Sequence, residues 1–342
     1  MIKVMKPGLF TTLQDRGRWG YQAYGMPVAG VMDRYASRMA NLLAGNAADA
    51  AVVEMTLLGA VFQFTQEAWV SICGADMEAT LNDQPVNNWS GFFVAAGSEL
   101  AFRYAVSGCR NYLAVQGGFD VPVVMGSRST YTRAGIGGLC GRSFKAGDIL
   151  KVLQTSAGEV SKTKKLASAF IPRYESALRL RVLLGPQEEL FTPEGIAALF
   201  DNGYVISSDA DRMGYRLEGP KIQHAGNPDI VSDALAEGAI QVPGHGMPIV
   251  MMADRQTTGG YAKIGTVIGP DLMRLAQAKP GDTVRFVRCS EEEALAALRQ
   301  EQEQYEQAAA WVAKPAVGST AARRFVVKID GQIYNVAIEE EK

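Results

Sequence analysis

The chain has 342 residues, of which 47% are hydrophobic and 20% are charged, and its formal net charge at pH 7 is -2. This composition is ordinary for a globular protein and excludes a largely disordered chain, which combines low hydrophobicity with high net charge. It also excludes a strongly basic chain, so we expect no nucleic acid partner. No apolar run approaches the roughly 18 residues that cross a bilayer, so we expect neither a membrane segment nor a signal peptide.

Glycine and proline punctuate short apolar runs, a pattern that predicts many short strands joined by tight turns. In the first half of the chain, strands are expected at residues 52–58, 61–65, 69–73, 92–95, 100–104, 112–115 and 149–153. The best helical signal there is Asp33–Leu43, with Asp33 as the N-cap and apolar residues along one face.

A polar, lysine-rich stretch predicts a surface linker over residues 155–172. Beyond it, strands are expected at residues 178–184, 203–207, 239–242, 249–252 and 283–287. Thr192–Phe200 predicts a short helix, because Thr192 is a good N-cap and a proline follows it.

The ends of the two halves echo each other. Residues 145–152 and 279–286 each contain a Gly-Asp turn that leads into a strand of alternating apolar residues. The repeat favours two related barrel-like β subdomains, at residues 1–154 and 173–289.

The remaining residues differ from both halves. Ser290 and Glu293 form a capping box that begins a helix predicted over residues 290–314. Its apolar stripe is expected to comprise Leu295, Leu298, Tyr305, Ala309 and Val312. Asp330-Gly331 predicts the tight turn of a hairpin within residues 323–342, which needs further packing to be stable.

Cysteine and histidine usage limits the chemistry. The four cysteines are scattered, with no C-x-x-C pair, which is typical of reduced thiols in a cytoplasmic protein. The only histidines are His224, expected at the surface, and His245, which lies in a glycine-rich turn where it could titrate near neutrality or simply be solvated. We therefore expect no metal site.

Standard phosphate, zinc-protease and serine-hydrolase motifs are absent. Residues 135–141, here named the glycine segment, miss the dinucleotide-binding spacing by one residue, so a flexible loop is favoured over a phosphate cradle.

Four polar segments stand out instead: segment 1 (residues 11–20), segment 2 (126–135), segment 3 (207–216) and segment 4 (254–263). Segment 1 joins Asp15 and Arg16 with glycines, so it could bind an anionic ligand or could simply hold a turn. Segment 2 has two arginines, four hydroxyl groups and a tyrosine, which suit either a binding loop or an ordinary turn.

In segment 4, Gln256, Thr257 and Thr258 could orient an amide or a carboxylate, and two glycines allow close backbone approach. Lys263 could stabilise a developing oxyanion or phosphate, although most lysines are surface residues.

Six stretches carry a family resemblance, among them TTLQDRGRWG at residue 11 and DRQTTGGYAKIGTVI at residue 254. The chain resembles the carboxyltransferase family known as allophanate hydrolase subunit 2. That family includes the C subunit of 5-oxoprolinase, the antagonist of the sporulation kinase inhibitor and half of the carboxyltransferase domain of urea carboxylase. The resemblance spans residues 1 to about 290 and implies a mainly β fold of two tandem cyclophilin-like barrels with a few short helices.

The resemblance also implies an active cleft shared with a subunit-1 family protein, in a heterodimer or heterotetramer. It implies catalytic roles for Asp15, Arg16, Arg128 and Lys263. It implies that the substrate is bound by Asp33, Glu54, Tyr131, Asp211, Arg212, Gln256, Thr257 and Thr258.

Two features depart from the family pattern. His245 stands where an Asn or Asp is expected, which puts substrate preference in doubt. The 323–342 tail looks like the opening hairpin of a biotin-carrier domain but lacks a Met-Lys-Met site, so biotin is not attached to this chain. The tail could dock a separate carrier or be a fragment of one.

Three functions follow as hypotheses. The first is a subunit of an ATP-dependent 5-oxoprolinase, with a subunit-A-type partner and ATP shared among the subunits, because opening the lactam to glutamate is uphill. The second is a biotin-dependent carboxyltransferase that acts on a urea- or amide-like acceptor. The third is a non-enzymatic antagonist of a kinase-inhibitor protein.

Overall fold

Two β-rich halves and a C-terminal helix make up the computed structural model. It describes residues 1–153 and 164–313 in full and, beyond them, the backbone of two strands at residues 323–329 and 332–338. Within the described residues, none of the helices combines the length and the apolar character needed to cross a membrane.

The first half consists of two six-stranded sheets around a shared core. Its strands are β1 (Ile2–Lys6), β2 (Phe10–Gln14), β3 (Val52–Thr56), β4 (Val61–Phe64), β5 (Ala68–Asp76), β6 (Thr80–Leu81), β7 (Gln84–Pro85), β8 (Ser90–Val94), β9 (Glu99–Ala101), β10 (Ser107–Val115), β11 (Ile149–Leu150) and β12 (Lys164–Lys165). One sheet has the order β11-β1-β4-β9-β6-β7 and the other β12-β8-β5-β10-β3-β2. Apolar residues that alternate along the strands of both sheets, such as Phe62 and Leu113, fill the space between them.

Helix α1 (Arg34–Ala44) covers the outer face of the second sheet. The side chain of Asp33 accepts a hydrogen bond from the backbone N–H of Ala36 at 3.0 Å, which confirms the predicted N-cap. Met39 and Leu43 are buried against this sheet, so α1 is fixed on a rigid support.

The second half is a closed seven-stranded barrel with the order β13-β20-β17-β18-β15-β14-β21. Its strands and those of an adjoining two-stranded sheet are β13 (Ala177–Leu184), β14 (Gly203–Ile206), β15 (Gly214–Glu218), β16 (Asp229–Ala234), β17 (Ala239–Gln241), β18 (Ile249–Met251), β19 (Thr258–Tyr261), β20 (Lys263–Val267) and β21 (Thr283–Arg288). Strands β13 and β21 pair in parallel, and β16 pairs with β19 outside the barrel. Helices α2 (Pro193–Asp201) and α3 (Gly269–Leu275) pack on the barrel.

The C-terminal helix α4 (Glu291–Ala313) starts at the predicted capping box, in which Ser290 and Glu293 exchange hydrogen bonds at 2.8 and 3.2 Å. Its predicted apolar stripe is partly wrong, because Leu295 and Leu298 are about half exposed. The buried face is made by Ala294, Ala297, Ala308 and Val312. Small side chains bring the α4 backbone close to its neighbours.

Strands β22 (Arg323–Ile329) and β23 (Gln332–Ile338) pair as the predicted hairpin, and the Asp330-Gly331 turn lies outside the described residues.

The predicted fold, mainly β in two parts with a C-terminal helix, is confirmed. Every strand predicted in the two halves overlaps an observed one. The sequence patterns did not predict helix α3 or strands β1, β2, β6, β7, β12, β15, β16, β19 and β20. Of these strands, β2, β15, β19 and β20 overlap the polar segments. Of the expected linker, residues 155–163 lie outside the described residues, while β12 pairs with β8 in the first half.

Candidate functional site

Asp15 joins polar segment 1 to polar segment 2. Its Oδ1 accepts hydrogen bonds from the hydroxyl groups of Ser127 and Ser129 at 2.6 Å and from the backbone N–H of Gly17 at 2.8 Å. Its Oδ2 accepts the backbone N–H of Arg128 at 2.5 Å. Four donors thus converge on this buried carboxylate, three of them on Oδ1, so its geometry is that of a group that positions the two segments.

Segments 2, 3 and 4 are joined by ion pairs. Arg133 of segment 2 pairs with Asp211 of segment 3 at 3.1 Å, at the surface. Arg212, the next residue, forms a bidentate pair with Asp254 of segment 4, with Nε and Nη2 at 3.0 and 2.9 Å from the two carboxylate oxygens. The four segments therefore converge on one region, where the two halves meet.

A buried polar network lies behind this region. Arg212 also donates to Glu54 and to the backbone carbonyl of Gly30. The other oxygen of Glu54 accepts hydrogen bonds from the hydroxyl group of Tyr112 at 2.9 Å and from the backbone N–H of Met32 at 2.8 Å. Glu54 belongs to the first half and Arg212 to the second, so their contact fixes the halves against each other.

Gln277 provides the second link between the halves. Its Oε1 accepts the backbone N–H groups of Cys109 and Arg110 at 3.0 and 2.9 Å. Its Nε2 donates to the backbone carbonyl of Arg110 at 2.9 Å and to Asp33 at 2.8 Å. The hydrogen-bonding capacity of this one amide is thus used across the joint.

Burial sets the charge state of this network. It raises the pKa of Asp33 to about 6, and the hydrogen bonds from Ala36 and Gln277 oppose that rise. Burial alone would lower the pKa of Arg212, but Asp254 and Glu54 outweigh it and raise that pKa above its usual range. Arg212 is therefore always charged, whereas Asp33 changes its charge in mildly acidic solution.

Asp33, Glu54 and Arg212, expected to bind substrate, are thus buried and bonded to protein groups. Tyr131 and Asp211 are partly exposed in the converging region. The substrate-binding roles stay predictions. The geometry separates Tyr131 and Asp211, which solvent can reach, from Asp33, Glu54 and Arg212, which belong to the buried polar network.

Two of the expected catalytic residues, Arg16 and Lys263, form ion pairs with acidic residues outside the four polar segments. The guanidinium group of Arg16 is exposed and lies 3.7 Å from Asp49, beside a cleft of about 260 Å³ that Trp19 and Arg34 also line. Lys263 donates to Asp233 at 2.6 Å and to the carbonyl of Ala234 at 3.2 Å, on the two-stranded sheet.

Residues 256–258 lead from Asp254 towards that same sheet. Thr258 pairs with Ala234 between β19 and β16, and the carbonyl of Thr257 accepts the N–H of Leu235 at 3.0 Å. The buried Oε1 of Gln256 has no hydrogen-bond partner among the described residues. The hydrogen bonds of Thr257 and Thr258 are thus those of a strand edge.

Sequence reasoning missed Arg18, Arg110, Tyr112 and Gln277. Arg18 lies in segment 1 and is fully buried, an unusual place for a guanidinium group. The motif DRGR showed two arginines, but nothing in it indicated which one is buried. The other three sit on a strand or beside the second Gly-Asp turn, where no local pattern marks a polar network.

A cleft of about 530 Å³, larger than the one beside Arg16, lies elsewhere, between α2 and strands β13 and β21. Arg179, Arg285 and Arg288 line it, and none of the four polar segments reaches it. Cleft volume alone would therefore select a different site from the region where the buried polar groups converge.

Comparisons with known proteins connect this arrangement with enzymes. The family model described as "Carboxyltransferase domain, subdomain A and B" matches residues 24–288. The chain is 40% identical to the C subunit of 5-oxoprolinase from Escherichia coli over 313 residues, which cover 91% of this chain and 98% of that protein. It is 33% identical to urea amidolyase of Saccharomyces cerevisiae over 85% of this chain, which spans only 17% of that much longer protein.

A solved structure gives the same picture. Urea carboxylase of Kluyveromyces lactis superimposes with a TM-score of 0.84 and 29% identity over 90% of this chain and 29% of that one. These relatives are named as enzymes or enzyme subunits.

Proposed function

The chain belongs to the family defined by carboxyltransferase subdomains A and B, and from that membership we propose that it is the C subunit of a heteromeric, ATP-dependent 5-oxoprolinase. One observation supports this choice most strongly: the similarity to the corresponding Escherichia coli protein extends over 98% of that protein's length. The urea-metabolising relatives, in contrast, are matched over small parts of their length.

The proposed reaction opens the five-membered lactam of 5-oxoproline. Water cleaves the ring C–N bond and gives glutamate, while ATP is hydrolysed to ADP and phosphate. A site for this substrate must bind a carboxylate and stabilise negative charge that develops on the lactam oxygen. Arginine side chains and backbone N–H groups suit both tasks.

The converging segments offer such donors. The Nε of Arg128 is buried without a protein acceptor among the described residues, and Asp15 and Gly138 hold the backbone of Arg128 at its N–H and its carbonyl. We assign Asp15 a positioning task and Arg128 direct contact with substrate. Tyr131, three residues on, is half-buried, and the charges of Asp254 and Arg133 act on it, so we place it at the border of the same site.

The proposal includes partners. We propose that a subunit-1 family protein completes the cleft, that a subunit-A-type protein joins the complex and that ATP binds in the assembled enzyme. A cytoplasmic location is part of the proposal, and it is consistent with four free cysteines.

The test is reconstitution. The chain is co-purified with its subunit-1 and subunit-A-type partners, and glutamate and ADP are measured with 5-oxoproline and ATP. We expect both products in equal amounts. An Arg128→Met variant is expected to lower kcat/KM about ten- to a hundredfold, since a lost charge-assisted hydrogen bond costs roughly 1.5–3 kcal/mol.

Arg133→Met is the matched control. Arg133 lies in the same segment but is exposed, and its ion pair with Asp211 is at the surface, so we expect near-normal turnover. Absence of glutamate with every partner present would refute the proposal.

One specific observation favours a second candidate, a carboxyltransferase that acts on a urea- or amide-like acceptor: the TM-score of 0.84 with urea carboxylase. In this candidate, carboxybiotin on a carrier protein would supply the carboxyl group. Loss of the carboxyl group from such a carrier, dependent on this chain and on acceptor, would support this candidate over lactam opening.

A further inference from the structure

Arg18 is a fully buried cation with unused hydrogen-bonding capacity. Its relative exposure is 0%, and its Nη2 donates to the backbone carbonyl of Ser129. Its Nε and Nη1 have no hydrogen-bond acceptor among the described residues. Burying a charged group without partners costs several kcal/mol, so such an arrangement calls for a functional reason.

The carboxylates near Arg18 are committed to other groups. Asp15 and Asp254 are the acidic residues whose charges act on it most, yet neither lies within 4 Å to form an ion pair. Asp15 already accepts four hydrogen bonds, and Asp254 is paired with Arg212. The positive charge of Arg18 is therefore not neutralised by direct contact.

Other unpartnered polar atoms belong to the same region. In the described residues, eight buried side-chain polar atoms lack a partner, and four of them belong to Gln14, Arg18 and Arg128 of segments 1 and 2. Gln14 and Arg18 both donate to backbone carbonyls of residues 129–130, next to Arg128. Unused donors and acceptors thus concentrate at the converging segments, where a ligand can use them.

The glycine segment covers Arg18. A Cβ on Gly137 would collide with Nη2 of Arg18 and with the carbonyl oxygen of Ser129. Gly135, Gly137, Gly138 and Gly141 have positive φ, which only glycine adopts without strain. The segment can therefore lie against the guanidinium group, and it must move for a ligand to reach that group.

We propose that Arg18 is an anion-binding residue, which receives a carboxylate beneath the glycine segment. The proposal of an anion site rests on the contacts above. Its identification with the carboxylate of 5-oxoproline rests on the proposed function.

The experiment uses two substitutions in the reconstituted complex. Arg18→Gln removes the charge, and we expect KM for 5-oxoproline to rise about thirty- to a hundredfold, as is typical when a hydrogen bond to a charged group is lost. Arg18→Lys is expected to restore part of the loss. Unchanged KM in a folded Arg18→Gln variant would overturn the proposal and leave the proposed function intact.

A second pair of variants leaves the charge in place. Gly137→Ala would push against Nη2 of Arg18 and should raise KM, whereas Gly135→Ala is the matched control, with positive φ but no atom within 4 Å of its Cβ. Equal effects of the two alanines would contradict the geometry proposed.

A binding measurement separates this idea from the proposed function. If the complex makes no glutamate, binding of 5-oxoproline and of uncharged pyrrolidin-2-one to the full chain is measured by calorimetry. The anion site is supported if the wild type binds 5-oxoproline but not pyrrolidin-2-one and if the Arg18→Gln variant binds neither. Absence of binding, or equal binding to wild type and variant, overturns it.

Discussion

At the scale of single residues, Asp33 combines two structural tasks. Its Oδ1 caps helix α1, and its Oδ2 accepts a hydrogen bond from Gln277 of the other half. Both tasks favour the ionised carboxylate, but burial disfavours it more strongly, and this is why its pKa rises to about 6. The joint between the halves therefore contains a charge that is costly near neutral pH.

The stability of the protein should depend on pH through Asp33. Between its ordinary pKa of 3.8 and its folded value of about 6, the folded state binds more protons than the unfolded state. The contribution of Asp33 to the free energy of unfolding is therefore greatest below about pH 4 and falls, by up to about 3 kcal/mol, as pH rises through 6.

Urea unfolding at a series of pH values tests this in wild type and Asp33→Asn, whose side chain does not titrate. We expect the difference between the two curves to change between pH 4 and pH 7 in favour of the variant. Parallel curves would mean that Asp33 titrates normally.

At the scale of elements, capping residues were predicted well because a cap depends on neighbours a few positions away. Asp33, Thr192 and Ser290 each cap the helix that the sequence assigned to them. The face that α4 buries was predicted less well. The sequence pattern placed Leu295 and Leu298 on the buried face of α4. In the structure the side chains that pack against neighbouring elements are mainly alanines.

The register of α4 leads to a prediction about two adjacent residues. Ala297 is 6% exposed and packs with Ile268 and Cys289, whereas Leu298 is 47% exposed. Ala297→Gln should destabilise the protein by about 1–3 kcal/mol through overpacking, and Leu298→Gln by about 0.5 kcal/mol or less. Thermal unfolding of the two variants tests this. A larger loss of stability for Leu298→Gln than for Ala297→Gln would contradict the assignment of Ala297 to the buried face of α4.

Polar strands were the hardest elements to predict. Strand β2 has the sequence FTTLQ, and its central polar residues Thr11 and Thr12 are almost fully buried. Their burial is tolerated because hydrogen bonds are available, such as the one from Thr11 Oγ1 to the carbonyl of Pro7 at 2.5 Å. Composition suggested a loop because such partners are not visible along the chain.

At the scale of the whole molecule, two hydrophobic cores are linked by a polar joint. One core fills the closed barrel and another lies between the two sheets of the first half. Between them, Gln277 and the Arg212–Glu54 pair make directional contacts. Such contacts fix one relative orientation of the halves, which apolar packing alone specifies less strictly.

Gln277→Leu tests whether the joint couples the halves. It keeps the approximate shape but leaves buried partners unsatisfied at Asp33, Cys109 and Arg110, a loss of about 3 kcal/mol or more. We expect unfolding to separate into two transitions, one for each half, when followed by calorimetry. Gln300→Leu on the exposed face of α4 is the control and should unfold like the wild type.

The strand-rich class, the helix caps, the two-part organisation and the family could all be predicted from the sequence, because they depend on local patterns and on motifs within short stretches of chain. Which polar residues are buried, which are exposed and which contact each other became clear only in the folded molecule. Asp15 and Ser127 are 112 positions apart and Glu54 and Arg212 are 158 apart, so no local pattern connects them. Their contacts exist because two separate cores pack together and bring distant segments to one joint.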